Sequence, residues 1–371
     1  MSQPLPLIPL FNRLNPWLLQ PILNNRYNGD HLNPPLTIKQ STMSKPCIHC
    51  GSNNTLHLYD NHDYISGEIF PIAYCQDCHT TYTPGNLDPD SLINYYGTDI
   101  YYGNAGRRFI GLIETMIGWF RHHRTQLIRH YHPQPGAVLD IGCGRGLMLA
   151  ELKAAGWDST GVEFSRELAQ AGSAKHQLPI IHSYYLTDCQ LPSQHFDVVT
   201  LWHVLEHLIQ PLQTIEEIQR ILKPGGHLII EVPNIYSWQA KLSQGDWFHL
   251  DAPRHLYHFS PEGLQKMLRA KGFEVVKVST WSLEYGPYGL LQGLLNRLTV
   301  APNVLYCLLK RQCAYRPNYK PGQKLWDYAI SIGLLPPLLV ASILLEGIAA
   351  LNGHGGVIKV IARKPLPATA Q

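Results

Sequence analysis

From Ala137 onward the sequence alternates short apolar runs with stretches of helical periodicity, and this alternation limits the fold more than any other feature. The apolar runs predict strands over Ala137–Ile141, Ser159–Glu163, Ile180–Ser183, Asp197–Trp202, His227–Val232 and Phe273–Val278. Between them the spacing predicts helices over Leu147–Ala155, Arg166–His176, Leu212–Leu222 and Pro261–Lys271. Strands alternating with helices at this period imply βαβ units and a mostly parallel, doubly wound sheet. At 371 residues the chain is longer than one such domain needs, so attached modules are expected.

The first strand runs into "DIGCGRG", three glycines in five residues behind Asp140. A loop this bare between a strand and a helix lets the backbone approach a ligand, and the helix N-terminus adds N–H donors. A dinucleotide fingerprint asks for G-x-G-x-x-G. Here Gly142, Gly144 and Gly146 are spaced G-x-G-x-G, with Leu147 where the third glycine should stand.

That spacing resembles the first motif of class I S-adenosylmethionine-dependent methyltransferases. "FDVVTLWHVLEHL" is similar to the fourth strand of that family and its exit, and "ILKPGGHLIIEVPN" to the turn into the fifth. The resemblance covers about Ala137 to Val278 plus the last strand. It implies an α/β, Rossmann-like methyltransferase sheet with S-adenosyl-L-methionine as cofactor. By position it implies that Asp140 contacts the amino group of the methionine moiety, or the loop holding it. Gly142 and Gly144 would let the backbone lie against the adenosyl group. Glu163, ending the second strand, would accept bonds from the ribose hydroxyls. Asp188 is a candidate for the adenine amine, its alternative being a turn or cap residue.

Methyl transfer needs alignment and, where the nucleophile is protonated, a base; histidine suits that role near neutral pH. Two stretches compete for it. His203 stands at the exit of the fourth strand in "WHVLEHL", where ligands of open α/β sheets bind, while Glu206–His207 is read as closing a structural turn. His255 lies in "DWFHLDAPRHLYHFSPEGL", which resembles a stretch of the deoxysugar C-methyltransferases; Arg254 stands where that family has glutamate. Arg254 is expected either to keep His255 neutral or to bind an anionic acceptor. The D-P-P-Y type motif of base and amide N-methyltransferases is missing after the fourth strand. Net charge is only +3 and no Lys/Arg stripe exists, so nucleic acid is not an expected substrate.

Upstream, Cys47, Cys50, Cys75 and Cys78 form C-x2-C-x24-C-x2-C. Two such knuckles suit a tetrahedral Zn²⁺, with Gly51 easing the turn after the first. Four thiolates would fill the ion's shell, so its role is expected to be structural. The sugar C-methyltransferases resembled here also carry an N-terminal zinc module before a tyrosine-rich connector, as do methyltransferases associated with bacterial cell-surface glycan synthesis. In that resemblance the module covers the substrate cleft, and Tyr95, Tyr96, Tyr101 and Tyr102 either reach the acceptor or pack the linker.

Between "FEVVKV" and "GVIKVIARK" lie about eighty residues, many apolar, and Tyr328 to Leu345 carries no charge. Pro336–Pro337 would break a helix there. Two half-helices on a membrane surface, or a buried helical lid or dimer interface, are both compatible. The chain thus divides into a poorly ordered leader (1–44), a four-cysteine zinc module (45–82), a connector and helix (83–135), a methyltransferase core (136–282), a hydrophobic helical insertion (283–352) and a last strand with tail (353–371). The expected activity is methyl transfer to a small-molecule, glycan or lipid-linked acceptor, the alternatives being deoxysugar C-methylation or a non-catalytic cofactor-binding membrane scaffold. The N-terminus has no basic, uninterrupted apolar segment, so the cytoplasm is expected, with peripheral contact to the inner membrane if the insertion docks there.

Overall fold

A computed structural model describes residues 41–42, 45–85, 88–96, 111–310 and 319–367. Tyr101, Tyr102, Phe109 and nearly all of the leader lie outside them. The chain opens with a small antiparallel array: β1 (Ser41–Thr42), β2 (Thr55–His62), β3 (Ile69–Cys75) and β4 (Thr81–Tyr82). β1 pairs with Leu56 and His57, so the segment expected to be without order up to residue 44 contributes a short strand. Helix α1 (Pro89–Ile93) and α2 (Gly111–Tyr131) follow.

The larger sheet comprises β5 (Ala137–Ile141), β6 (Asp158–Glu163), β7 (Ile180–His182), β8 (Phe196–Trp202) and β9 (Leu222–Pro233), all parallel, connected by α3 (Leu147–Ala154), α4 (Arg166–His176) and α5 (Pro211–Ile221). Beyond β9 come α6 (Trp238–Ser243), β10 (Tyr257–His258), α7 (Pro261–Ala270), β11 (Glu274–Ser279), α8 (Gly286–Asn296), α9 (Val304–Lys310), α10 (Gln323–Gly333), α11 (Leu335–Leu351) and β12 (Val357–Arg363). The seven strands run β11–β12–β9–β8–β5–β6–β7, with β12 antiparallel to both neighbours. Alternate residues divide between two faces. Val138, Val198 and Ile229 pack with α2 and α3, whereas Leu139, Val199 and Ile230 pack with α5 and α7. Such two-sided burial is what the continuous apolar runs require.

The short strand β10 does not join this sheet. It pairs antiparallel with β4, completing the five-stranded order β1–β2–β3–β4–β10. The sheet therefore crosses the boundary expected at residue 82. Leu58, Ile72 and Tyr74 of the cysteine region share one core with Ile235, Trp247 and Leu250 from the segment after β9. Buried polar bonds reinforce the junction: Asn61 donates to the Gly245 carbonyl (2.8 Å) and accepts from Ala252 N–H (3.1 Å).

In the insertion, α8 is buried along most of its length, and α10 and α11 meet at a 53° bend just before Pro336–Pro337, which open the second helix. Glu346 anchors α11 inward: its carboxylate accepts from Gly356 N–H (2.5 Å) and from Gln239 Nε2 (3.0 Å). The rest of α11 is largely exposed. Among the described residues no single helix is long and apolar enough to cross a membrane, though the bent pair together has the length and composition.

Candidate active site

Strand register assembles the site at the carboxyl edge of the large sheet. Asp140 lies opposite Gly161 on one side and Thr200 on the other. Thr200 therefore donates to Asp140 Oδ1 across the ladder at 2.6 Å. Burial pushes the Asp140 carboxyl up to about 7, partly opposed by the Thr200 bond and the positive charge of Arg124. A cation placed beside Asp140 would restore its charge.

The loop turns left-handed at Gly142 (φ 71°) and Gly144 (φ 56°). A Cβ on Gly142 would sit 2.4 Å from Cγ2 of Val204, so glycine is required for β5 to meet the turn after β8. A Cβ on Gly144 would meet nothing within 4 Å; it faces open space, the backbone surface a ligand needs. Glu163 stands one step beyond the paired ends of β5 and β6, 3% exposed. Its Oε2 accepts from Gly144 N–H (2.7 Å) and its Oε1 from Ser165 N–H (2.9 Å). The carboxylate thereby ties the glycine loop to α4. Asp188 is exposed on the turn at Leu186–Cys189, and among the described residues its side chain bonds only locally, to Thr187. The bare loop and Glu163 thus fit an adenosyl group with its ribose.

The two histidine stretches that compete in the sequence are neighbours in space. His203 adopts φ 55°, a left-handed conformation uncommon outside glycine, and donates its backbone N–H to the Glu231 carbonyl. Its ring lies 3.8 Å from that of Tyr285, centre to centre. Nδ1 is 3.3 Å from Glu206 and Nε2 3.5 Å from Glu231. Burial disfavours the imidazolium, but the two carboxylates outweigh it and raise His203 to about 9. His203 is thus a held cation at neutral pH, whereas the expected base would need a neutral ring.

His255 is buried, and its Nδ1 donates to the His249 carbonyl (2.8 Å). Burial, with the neighbouring histidines, lowers it well below the usual imidazole range, so it is neutral. Nε2 stands 4.0 Å from both Glu206 and Asp251. His255 thus keeps a free lone pair but faces acidic groups. Arg254 has neither role expected of it. Fully buried, it binds Asp63 (2.7 Å) and Asp251 (2.6 Å) and donates to the Tyr95 carbonyl, so it clamps the cysteine region, the connector and the loop together. Glu206–His207, read as a turn, sits at the centre of this cluster; only the proximity of two loops distant in sequence could have shown it.

The cysteines converge as well. Sγ atoms of Cys47 and Cys78, and of Cys50 and Cys75, are 3.6 Å apart, and all four lie within 4.8 Å. The two knuckles repeat one geometry: Gly51 and His79 are both left-handed, with N–H bonded to the carbonyls of Cys47 and Cys75. Thiolates about 2.3 Å from a tetrahedral ion stand about 3.8 Å apart, so the set fits Zn²⁺.

Residues 118–278 match the family described as a methyltransferase domain. The chain is 30% identical over 173 residues to a probable S-adenosylmethionine-dependent methyltransferase of Mycolicibacterium smegmatis, covering 46% of this chain and 65% of that protein. It is 35% identical over 103 residues to a ubiquinone biosynthesis O-methyltransferase of Coxiella burnetii, covering 26% and 43%. Among solved structures it is similar to a SAM dependent methyltransferase from Archaeoglobus fulgidus, 22% identical with TM-score 0.41, over 66% of this chain and 94% of that one. This chain therefore spans less than two thirds of either curated relative. Residues 118–278 thus match a methyltransferase domain, and that match spans less than half of this chain.

Proposed function

We propose that the whole chain transfers a methyl group from S-adenosyl-L-methionine to a small-molecule, glycan or lipid-linked acceptor. The observation that carries this reading is the joint geometry of Gly144 and Glu163: an open backbone surface whose N–H is fixed by a buried carboxylate at the edge of the sheet. When bound there, the cofactor supplies an activated methyl group on a sulfonium. Glu163 holds the ribose, Asp140 the amino end, and the turn at Val204 closes the cradle beside Gly142. His255 is the neutral imidazole in reach of an acceptor proton. His203, as a cation between Glu206 and Glu231, orients this edge of the site. The four cysteines hold one structural Zn²⁺, which fixes the sheet that carries β10 and so the loop bearing His255.

Glycan C-methylation, as in the deoxysugar enzymes resembled, is the narrower form of this proposal. The supporting feature is the placement of His255 in a loop closed over by a cysteine module and the connector's Tyr95 and Tyr96. Full-length protein incubated with methyl-labelled cofactor and cell extract should transfer label to an acceptor identifiable by mass spectrometry. Cofactor binding without any transfer would favour a scaffold.

A further inference from the structure

Glu206 and His207 occupy the short turn Leu205–His207 after β8, and His255 descends from the loop braced by the cysteine region. One ligand atom from each lies within 4.8 Å of the other two. Glu206 is 1% exposed, and neither carboxylate oxygen accepts a hydrogen bond. Its nearest cation, His203 Nδ1 at 3.3 Å, is out of hydrogen-bonding geometry and shared with Glu231. Glu231 has partners of its own, Lys359 at 2.8 Å and the Ser282 hydroxyl at 3.1 Å. A buried carboxylate whose oxygens accept no hydrogen bond is costly, and one imidazolium shared with Glu231 offsets that cost only in part.

The two imidazoles are prepared for such a partner. A carbonyl only accepts, so the bond from His255 to the His249 carbonyl puts the proton on Nδ1 and leaves the lone pair on Nε2, toward Glu206. His207 likewise donates from Nδ1 to the Arg254 carbonyl (3.0 Å), with the Tyr96 hydroxyl at the same distance. Histidines that ligate metals are held in this way, the far N–H on a backbone carbonyl.

We propose that Glu206, His207 and His255 form a site for a divalent transition-metal ion, separate from the four cysteines. Two imidazoles and one carboxylate suit Zn²⁺, Mn²⁺, Fe²⁺ or Co²⁺ and leave coordination positions open. Val204, two residues before Glu206, packs on Gly142, so the turn that carries Glu206 and His207 begins against the glycine loop. Its function rests on the methyltransferase reading: the open positions would take an acceptor through hydroxyl or carboxylate oxygens, and with the ion bound His255 Nε2 is a ligand, so the ion and not that imidazole would ease loss of the acceptor's proton. Ion binding itself does not depend on that reading.

The test uses full-length protein without cofactor or acceptor, equilibrated with Zn²⁺ and freed of unbound metal. Elemental analysis should find one ion fewer per chain in Glu206→Gln and in His207→Ala than in the wild type, with S-adenosylmethionine binding measured separately. Equal metal content in the wild type and both variants would overturn the site. Because a variant can lose its fold, Mn²⁺, which thiolate sites disfavour, is also added to the wild type alone. Electron spin-echo modulation should then show two imidazole nitrogens on the bound ion; an Mn²⁺ signal without nitrogen coupling contradicts the proposal.

Discussion

Glu163 bonds two backbone amides, one from the glycine loop and one from the start of α4, so its removal acts on ligand and loop together. Losing charge-assisted bonds to the ribose should weaken S-adenosylmethionine binding in Glu163→Ala by about 1.5–3 kcal/mol, read by calorimetry. Asp140 adds a pH dependence. Burial raises it to about 7, so it is increasingly protonated below that pH and charged above. Affinity for the cationic amino end should fall as pH drops through about 7, and Asp140→Asn should flatten the profile; an unchanged slope contradicts the contact. The places of Glu163 and Asp140 are legible in the sequence because a strand end fixes where a side chain stands. His203 is legible in place but not in charge state, since Glu231 comes from a strand whose register the sequence does not state.

At the scale of elements, the large sheet follows from apolar runs whose ends agree with the structure within a few residues. β10 and β4 do not, because two-residue strands carry no periodicity. Their pairing changes what the cysteine region does: it is half of the wall that holds the His255 loop. Arg254 is the pin of that wall. Breaking a buried ion pair strands the partner charges, so Arg254→Ala should cost about 3–5 kcal/mol in urea denaturation. A loss under about 1 kcal/mol, typical of a surface pair, would contradict the clamp. Cys75→Ser should abolish thiolate-bound zinc and also loosen the His255 loop, seen as faster amide exchange at residues 244–258. The proline break between α10 and α11 is readable in the sequence. Which side of α11 faces outward is not, and the exposure of Leu339, Val340, Leu344, Ile348 and Leu351 argues against a lid buried within one chain.

Across the whole molecule, the large sheet carries two additions that converge on one edge: the cysteine-braced sheet on the side of the His255 loop and the apolar insertion beside it. From the insertion, α8 packs against the segment that includes His249, whose ring Nε2 lies 3.2 Å from the Tyr285 carbonyl. The exposed apolar face of α11 therefore belongs to the same body as the site. We propose that this face rests on a bilayer and brings the site to acceptors held there. Wild-type protein should then sediment with anionic lipid vesicles, and Val340→Asp with Leu344→Asp should abolish this while leaving cofactor affinity unchanged. A concentration-dependent dimer that the same pair of changes disrupts, without vesicle binding, would contradict the membrane reading.

The central claim is that the bare loop and Glu163 hold the methyl donor. Calorimetric titration of the full-length wild type and Glu163→Ala with S-adenosylmethionine tests it most directly. The account predicts one binding site per chain in the wild type and an affinity lower by about 1.5–3 kcal/mol in the variant. Equal affinities in two folded proteins, or no binding to the wild type, would contradict it.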